Sequence, residues 1–392
     1  MAVSERALLL QLYPNNNTRN EVQNMKKIIS LILCLVMVLS LVACGAKEEP
    51  AAPAPEAPKA EAAAPAEPAA PAEPGVKAPE DYKGTVMLYS SADEGMILKY
   101  KEAFEKKYPN VKMEYYFAGS GQIVTKLSTE MQSNAVGCDV VFLASPDSFI
   151  TWKNEGRLLA YDSPFAADVP DALKDADGAY CSAYVILMGL GYSTAVCSAE
   201  EAPTSFKELT DPKWKDQFVM ADPSTAGSTK AAVWALVNHP DYGWDYFQAL
   251  KDNGVGLESS TGNAENRVVS AAYKAGLGCD YRFLNLIDNG TPVGFNNTTD
   301  VIATCPCPIA IPNGAPNEEL AKLLYDWIID PEGGQALMAN ECNLTVVNTK
   351  TVLPANITPA DEVAKLAIPV DWNEMVAGVS DMLAKFDEMF KS

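Results

Sequence analysis

Short apolar strands that end in a hydroxyl-rich turn and open onto a helix recur along this chain, and they constrain its fold more than any other feature. Residues 85–89, 111–117 and 138–143 form such strands, and apolar residues at helical spacing follow each one. Three strand–turn–helix units in succession predict a parallel sheet covered by helices, which is an α/β fold.

The second part of the chain repeats this pattern and adds two unusual segments. Strands are predicted at 218–220, 256–258 and 277–281, with helices at 230–237 and 264–274, and the C-terminal third is predicted to be mainly helical. Residues 184–192 and 302–311 are long apolar runs with no helix directly after them. We expect these two runs to be neighbouring strands that cross between two lobes.

Charge and histidine content exclude several functions. The 392 residues carry a net charge of −21, from 51 acidic and 30 basic side chains. Phosphate backbones need stripes of Lys and Arg, so we expect no nucleic-acid partner. Only one histidine is present, His239 in a predicted loop, and a single histidine excludes most histidine-based metal sites.

Nine cysteines are present, and two of them, Cys34 and Cys44, lie in an apparent targeting segment. The other seven follow no regular spacing and make a poor disulfide framework, so we expect buried free thiols. Cys305 and Cys307 form a Cys-x-Cys pair, but no second pair lies at zinc-like spacing, and structural thiols are predicted here too.

The N-terminal region has the features of a targeting signal followed by an extended spacer. Residues 25–44 combine two lysines, an apolar run and a small-residue cleavage site, which is typical of a signal peptide. Residues 41–44 resemble a bacterial lipobox, which implies lipid attachment at Cys44 and an exported protein on the outer face of the cytoplasmic membrane. Residues 1–24 are predicted to precede the true start, and the Pro/Ala/Glu-rich stretch 45–82 is predicted to be an extended spacer.

Four of the predicted turns share one composition. Ser90 and Ser91, residues 119–121, residues 145–147 and residues 224–229 are all rich in Ser, Thr or Gly and precede helices. Free amides at a helix N-terminus, together with hydroxyls, bind anions, and ligands of open α/β sheets lie beyond the carboxyl ends of the strands. These turns therefore predict one ligand cleft.

Several longer segments resemble one protein family. They are TVMLYSSADEGM, ELTDPKWKDQFVMADPSTAGST, IAIPNGAPNEELAKLLYDWI and DPEGGQALM. Together with the lipobox and the spacer, they resemble the solute-binding lipoproteins of bacterial ABC importers, in the iron(III)-type branch that also holds binders of phosphonates and sugar phosphates. The resemblance covers residues 84 to about 353.

The resemblance implies a two-lobed, type II periplasmic-binding-protein fold that traps a solute by hinge closure. Lobe I is expected to comprise 83–187 and 308–392, and lobe II 188–307. The implied partners are a small solute, a permease with its ATPase, and the membrane through a lipid anchor. We expect a monomer without a cofactor.

We expect a polar or anionic solute, with a phosphorylated or carboxylated compound favoured, because the planar fork of Arg282 suits such groups. The predicted ligand-binding residues come from both lobes: Ser90, Ser91, Ser120, Gly121, Ser145, Ser224, Thr225, Ser228, Asn263, Tyr281 and Arg282.

Two alternatives stay open. Ferric iron is the first, because this branch binds iron through adjacent tyrosines, yet only Tyr281 matches at the expected place. Tyr115 and Tyr116 are adjacent but lie in a strand, where their side chains point to opposite faces. The second is a secreted hydrolase, which we disfavour because no serine lies in a nucleophile-elbow pattern. We expect no enzymatic activity.

Overall fold

The computed structural model describes residues 77–391. The predicted start region, the predicted signal peptide, the predicted lipidation site at Cys44 and most of the predicted spacer lie outside the described residues. Within 77–391, none of the helices combines the length and the apolar character needed to cross a bilayer.

The strands of this region belong to one curled sheet. They are β1 (Gly84–Ser90), β2 (Val111–Phe117), β3 (Val140–Phe142), β4 (Cys181–Ser193), β5 (Phe218–Ala221), β6 (Gly256–Glu258), β7 (Ala275–Cys279), β8 (Val293–Asn296), β9 (Ala303–Ala310) and β10 (Thr345–Val346).

The helices lie between and after these strands. They are α1 (Glu94–Lys107), α2 (Ser120–Gln132), α3 (Pro146–Asn154), α4 (Gly227–Val237), α5 (Gly243–Asp252), α6 (Thr261–Val269), α7 (Asp280–Asp288), α8 (Glu318–Ile329), α9 (Gly334–Cys342), α10 (Ala360–Leu366) and α11 (Trp372–Lys391).

The first half of the sheet consists of β2, β1 and β3, which run parallel to one another. A helix follows each strand, as the strand–turn–helix pattern predicts. The helix α1 shows how the sequence specifies this: the side chain of Asp93 accepts a hydrogen bond from the Gly95 amide at 3.0 Å and caps the helix. Met96, Tyr100 and Phe104 recur at a spacing of four residues and bury one face against the sheet.

The second half has β5 between β6 and β7, again in parallel. The helices α4, α6 and α7 follow these three strands and continue the pattern. Two boundary predictions are wrong. The helix predicted at 264–274 ends at Val269, and β7 ends at Cys279, so that Tyr281 lies in the first turn of α7 rather than at the end of a strand. Arg282 therefore projects from a helix.

Two long strands join the halves. All residues of β4 are buried, and β4 pairs antiparallel with β9, from Cys181 opposite Ile309 to Met188 opposite Ala303. On its other side β9 pairs with β3, while β4 pairs with β7. The prediction that the two long apolar runs are neighbouring strands crossing between the halves is confirmed. The lobe limits given above stay a prediction.

The C-terminal helix α11 packs against both halves. It contacts α3 from the first half and α4 and α5 from the second. Phe386 lies 6.3 Å from the ring of Phe247 on α5, and the Lys385 ammonium lies 4.7 Å from the Trp244 ring centroid.

The cysteines of the described residues are buried and free, as expected: Cys138, Cys181, Cys197, Cys279, Cys305, Cys307 and Cys342. His239 follows α4 in a loop, where its Nδ1 accepts a hydrogen bond from the Asp241 amide at 3.2 Å. In residues 77–391, no three or more His, Cys, Asp and Glu side chains are grouped so that they could hold a metal ion.

Candidate functional site

A cleft of about 610 Å³ lies where the two halves of the sheet meet. The loops and helix starts that follow β1 and β2 line one wall. The opposite wall is lined by those that follow β5, β6 and β7. Two tyrosines, Tyr184 of β4 and Tyr281 of α7, also contribute.

Seven Ser and Thr residues line the cleft, and five of them form what we call the hydroxyl cluster: Ser91, Ser120, Thr225, Ser228 and Thr261. The Ser120 hydroxyl donates to Ser91 Oγ at 2.9 Å on the first wall. On the second wall the Ser228 and Thr261 hydroxyls are 3.1 Å apart. Each hydroxyl can both donate and accept, so the cluster can serve a polar ligand from both sides.

Among the described residues, three helices start at the cleft without a side-chain cap: α2, α4 and α7, of which α7 carries Asp280 in its first turn. The N-cap residue of α2 is Gly119 and that of α4 is Ala226, and both line the cleft. The amides at an uncapped helix start point outward and carry partial positive charge. Because α2 and α4 come from opposite walls, both starts face the same space.

The two walls touch at the floor of the cleft, and glycine permits that contact. A Cβ added at Gly227 would lie 1.9 Å from the Ala144 carbonyl oxygen, and one at Gly121 would lie 3.1 Å from that of Ser224. The Gly121 amide donates across the walls to the Thr225 carbonyl at 3.4 Å. A larger residue at position 227 would force the walls apart.

Arg282, Glu265 and Asp93 form a second group, which we call the charged cluster. The Arg282 Nε donates to a Glu265 carboxylate oxygen, and its NH1 lies 3.1 Å from Asp93 Oδ2 on the opposite wall. Glu265 is 2% exposed, and its other oxygen accepts from the Cys279 amide at 3.0 Å. Arg282 is the one Lys or Arg side chain among the residues that line the cleft, and its charge is already balanced by two carboxylates.

Burial and pairing shift the pKa of Glu265 in opposite directions. Loss of water raises the pKa of Glu265 above its ordinary value, although the neighbouring Arg282 guanidinium lowers it. The pKa of Arg282 is raised, chiefly by Glu265. Arg282 therefore stays charged. As the pH falls, Glu265 takes up a proton and loses its charge.

The tyrosines of the cleft are buried. The rings of Tyr184 and Tyr281 meet edge to face, with centroids 6.1 Å apart. Burial raises the pKa of both hydroxyls well above the usual value, so both are neutral phenols. Tyr115 and Tyr116 point apart, as the strand alternation predicts, since the Tyr115 hydroxyl donates to Glu94 at 2.9 Å and the ring of Tyr116 lies 5.3 Å from that of Tyr89.

The cleft brings together seven of the predicted site residues: Ser91, Ser120, Thr225, Ser228, Asn263, Tyr281 and Arg282. Ser90, Gly121, Ser145 and Ser224 do not line it. The Ser90 hydroxyl accepts from the Ala92 amide at 3.1 Å, and the Ser224 hydroxyl donates to Asp222 at 2.6 Å. The Ser145 hydroxyl is occupied by Asp147, Ser148 and Lys230.

Several lining residues were missed by sequence reasoning. Asp93 lies two residues after Ser91, and Thr261 lies two residues before Asn263, so a wider window around these two predicted site residues finds them. Tyr184 was hidden in a segment interpreted only as a connecting strand. Phe117, at the end of β2, lines the cleft although its side chain is 43% exposed, and no sequence signal separates it from an ordinary strand residue.

Comparison with known proteins decides the family. Residues 99–367 match the family model described as bacterial extracellular solute-binding protein. The chain belongs to this family. A relative in Sinorhizobium fredii, described as a probable ABC transporter periplasmic-binding protein, is 23% identical over 290 residues, which cover 69% of this chain and 77% of the relative.

Solved structures share the fold. The periplasmic binding protein AfuA from Actinobacillus pleuropneumoniae, with exogenous fructose-6-phosphate bound, matches with a TM-score of 0.70 and 23% identity, over 79% of this chain and 99% of AfuA. Iron-bound HitA from Pseudomonas aeruginosa matches with a TM-score of 0.65 and 15% identity, over 77% of this chain and 99% of HitA. The two-lobed periplasmic-binding-protein fold is thus confirmed, and the family consists of exported solute-binding proteins.

Proposed function

We propose that this protein is the solute-binding component of an ABC importer, which closes its two lobes on a small solute with an anionic group and delivers it to a permease. The observation that carries the proposal is the pair of uncapped helix starts, α2 and α4, which face one cleft from opposite walls. An anion between them would receive amide and hydroxyl hydrogen bonds from both sides.

The hydroxyl cluster is the better place for the anionic group than the charged cluster. Arg282 is held between Glu265 and Asp93, so an anion placed there would meet two carboxylates as well as the guanidinium. Ser120 and Ser228, by contrast, lie at helix starts that have no competing negative charge of their own. A phosphoryl or carboxyl group is therefore favoured beside these serines. The fructose-6-phosphate bound to AfuA is consistent with this chemistry.

The rest of the solute is expected to carry hydrogen-bond donors. Asp93 and Glu94 line the same cleft with Arg282, so acidic groups exceed basic ones there. Carboxylates accept hydrogen bonds and favour hydroxyl or ammonium groups. A compound that combines one acidic group with several donors meets both requirements.

Ferric iron is the second candidate, supported by the iron-bound HitA and by the two cleft tyrosines. Iron would have to deprotonate Tyr281 and Tyr184, both of which burial holds in the neutral form. Arg282 next to Tyr281 would also repel a trivalent cation. We therefore rank iron below the organic solute.

The test is a thermal-shift screen of the mature protein with matched compounds: sugars with and without a phosphate, and organic acids with and without hydroxyl or amino groups. A ligand at 100 times its Kd stabilises the folded state by about 2.7 kcal/mol. We expect the largest shifts with phosphorylated or carboxylated polyols. Shifts with ferric citrate alone, abolished by Tyr281→Phe, would favour iron instead.

A matched variant tests whether binding needs the two walls to meet. Gly227→Val would place side-chain atoms against the Ala144 carbonyl and hold the cleft open. We expect the ligand-induced shift to disappear. Gly156→Ala, at an exposed turn where an added Cβ meets nothing within 4 Å, should keep the shift even though the φ of +66° there lowers the stability of the variant without ligand. An unchanged shift in Gly227→Val would argue against closure on the solute.

The anchor, the lobe limits and the partners are further parts of the proposal. We infer that Cys44 is lipidated, that 83–187 with 308–392 forms lobe I and 188–307 lobe II, and that a monomer serves one permease and its ATPase. Cys44→Ala should release the protein from the membrane fraction. If the variant stays membrane-bound at an unchanged mature size, the anchor is not at Cys44.

A further inference from the structure

A second ion pair joins the two halves of the molecule outside the ligand cleft. Lys230 on α4 donates to Asp147 on α3, with 2.6 Å between Nζ and Oδ2. The side chains are 13% and 8% exposed, and neither lines the cleft. Buried charges of opposite sign in such a place require an explanation, because dehydrating them is costly.

The pair is fully supported by hydrogen bonds. The Lys230 ammonium also donates to Ser145 Oγ at 3.0 Å, and the Ser145 hydroxyl lies 3.0 Å from the second oxygen of Asp147 and 3.1 Å from Ser148 Oγ. The charge of each partner is thus balanced while α3 and α4 lie together. Ser145, predicted from the sequence as a ligand-binding residue, belongs to this network instead.

The Lys230–Asp147 pair lies next to the contact between the two walls, so we expect it to respond to lobe closure. Ala144, which touches Gly227 at the floor of the cleft, directly precedes Ser145. Gly227 lies one helical turn before Lys230 on α4. Any movement that separates Ala144 from Gly227 therefore also separates Ser145 and Asp147 from Lys230, and water then reaches both charges.

We propose that Lys230 and Asp147 are positioning residues whose two charges must be present together for the solute-free protein to close, and that they thereby influence the affinity for solute without touching it. The inference rests on the proposed function, in which lobe closure traps the solute. In the open form both charges are hydrated and neither needs the other. In the closed form a lone charge is left dehydrated, so loss of one partner disfavours closure.

The cleft contains a natural reporter of opening. Cys279 lines the cleft and is 3% exposed, whereas Cys138 is fully buried in the first half and does not line it. Alkylation of Cys279 by iodoacetamide, followed by mass spectrometry, reports cleft opening. Alkylation of Cys138 in the same sample reports unfolding.

The experiment compares solute-free wild type with Lys230→Met, Lys230→Met/Asp147→Leu and Lys153→Met. Lys153 is on α3 and pairs with Asp175 within the first half, so it is the matched control. We expect Lys230→Met to raise the alkylation rate of Cys279 at least tenfold with Cys138 unchanged. The double variant, which leaves no unpaired charge, should return toward the wild-type rate, and Lys153→Met should match wild type.

Equal Cys279 rates in wild type and Lys230→Met would overturn the proposal. So would a double variant as fast as Lys230→Met, because general destabilisation predicts that result and relief of an unpaired charge does not. If Lys230→Met also raises the alkylation rate of Cys138, the variant is partly unfolded, and the Cys279 rate of the double variant then decides between the proposal and general destabilisation. No solute enters this measurement, so its outcome is independent of whether the thermal-shift screen finds a ligand.

Discussion

Two ion pairs cross between the same two halves, and they differ in their access to water. Arg282 and Asp93 meet in the cleft with side chains 24% and 42% exposed, whereas Lys230 and Asp147 meet behind its floor at 13% and 8%. Exposed pairs contribute about 0–1 kcal/mol, but leaving one member of a buried pair alone costs about 3–5 kcal/mol. A solute can therefore displace the exposed contact between Arg282 and Asp93. The buried pair, in contrast, makes closure depend on the presence of both Lys230 and Asp147.

The largest effect is expected where Arg282 meets its buried partner, Glu265. Arg282→Met leaves a carboxylate that is 2% exposed without its cation, and we expect unfolding free energy to fall by about 3–5 kcal/mol at pH 8. The pKa of Glu265 is already raised, so protonation relieves part of the loss at pH 5. Urea denaturation at both pH values measures this. Equal losses would show that burial of Glu265 is not the cause.

Asp280 extends the comparison to a buried carboxylate without a cation. Burial raises its pKa to about 7, and its Oδ1 accepts from the Leu187 amide at 3.2 Å. Between pH 4 and 7 the folded state then holds a proton that the unfolded state has lost, so stability decreases as pH rises through this window. We expect a decrease of roughly 2–4 kcal/mol, at 1.36 kcal/mol per pKa unit.

The control for this pH dependence is Asp280→Asn, which keeps the hydrogen-bond acceptor and removes the titration. Its unfolding midpoint should fall less than that of wild type from pH 5 to 8, and should be higher than that of wild type at pH 8. If the two proteins lose stability in parallel, other groups cause the decrease.

A smaller effect is expected for the exposed pair itself. Asp93→Asn removes the charge facing Arg282 but keeps a side chain that caps α1 well, so we expect a loss below about 1 kcal/mol. That loss should vanish at about 1 M salt, where the Debye length is ~3 Å. Glu94→Gln changes the cleft charge equally without contacting Arg282 and serves as the control. A salt-independent loss in Asp93→Asn would place its effect in the cap rather than in the pair.

The smallest effect separates two neighbouring hydroxyls. Ser224 donates to the Asp222 carboxylate and does not line the cleft. Thr225 lines the cleft, and its hydroxyl, which donates to the Asp222 carbonyl at 3.2 Å, can still accept a hydrogen bond from a solute. Ser224→Ala should leave solute affinity unchanged, and Thr225→Val should lower it several-fold by removing a hydrogen bond worth about 1 kcal/mol. Titration calorimetry with the solute from the screen measures both. The reverse order would mean that this loop rearranges on binding.

The sequence predicted the architecture well because hydrophobic periodicity is local. The C-terminal third, predicted to be mainly helical, contains α8 to α11, and both long apolar runs are strands. Pro306 and Pro308 argue against a central position for β9, since proline lacks an amide donor, yet β9 lies between β3 and β4. Tertiary burial outweighs that local rule.

The site was predictable only in part. A hydroxyl after a strand indicates a turn, but the turn alone does not tell whether the side chain faces the cleft, as for Ser91, or a buried lysine, as for Ser145. Pairings such as Arg282 with Asp93 join residues far apart in sequence, and no local pattern indicates them. Arg282, which was predicted to bind the anionic group of the solute, is already paired with two carboxylates in the structure.

The course of the chain through β9 has a consequence for how the molecule is made. The strand β3 ends at Phe142. One of its neighbours in the sheet, β1, precedes it in the chain, but the other, β9, begins only at Ala303. The first half therefore cannot complete its sheet on a growing chain until most of the second half has been synthesised. Topologies dominated by such distant contacts fold slowly. We expect the newly made chain to stay unfolded long enough to be threaded through a secretion channel, and to depend on chaperones while its strand edges are exposed.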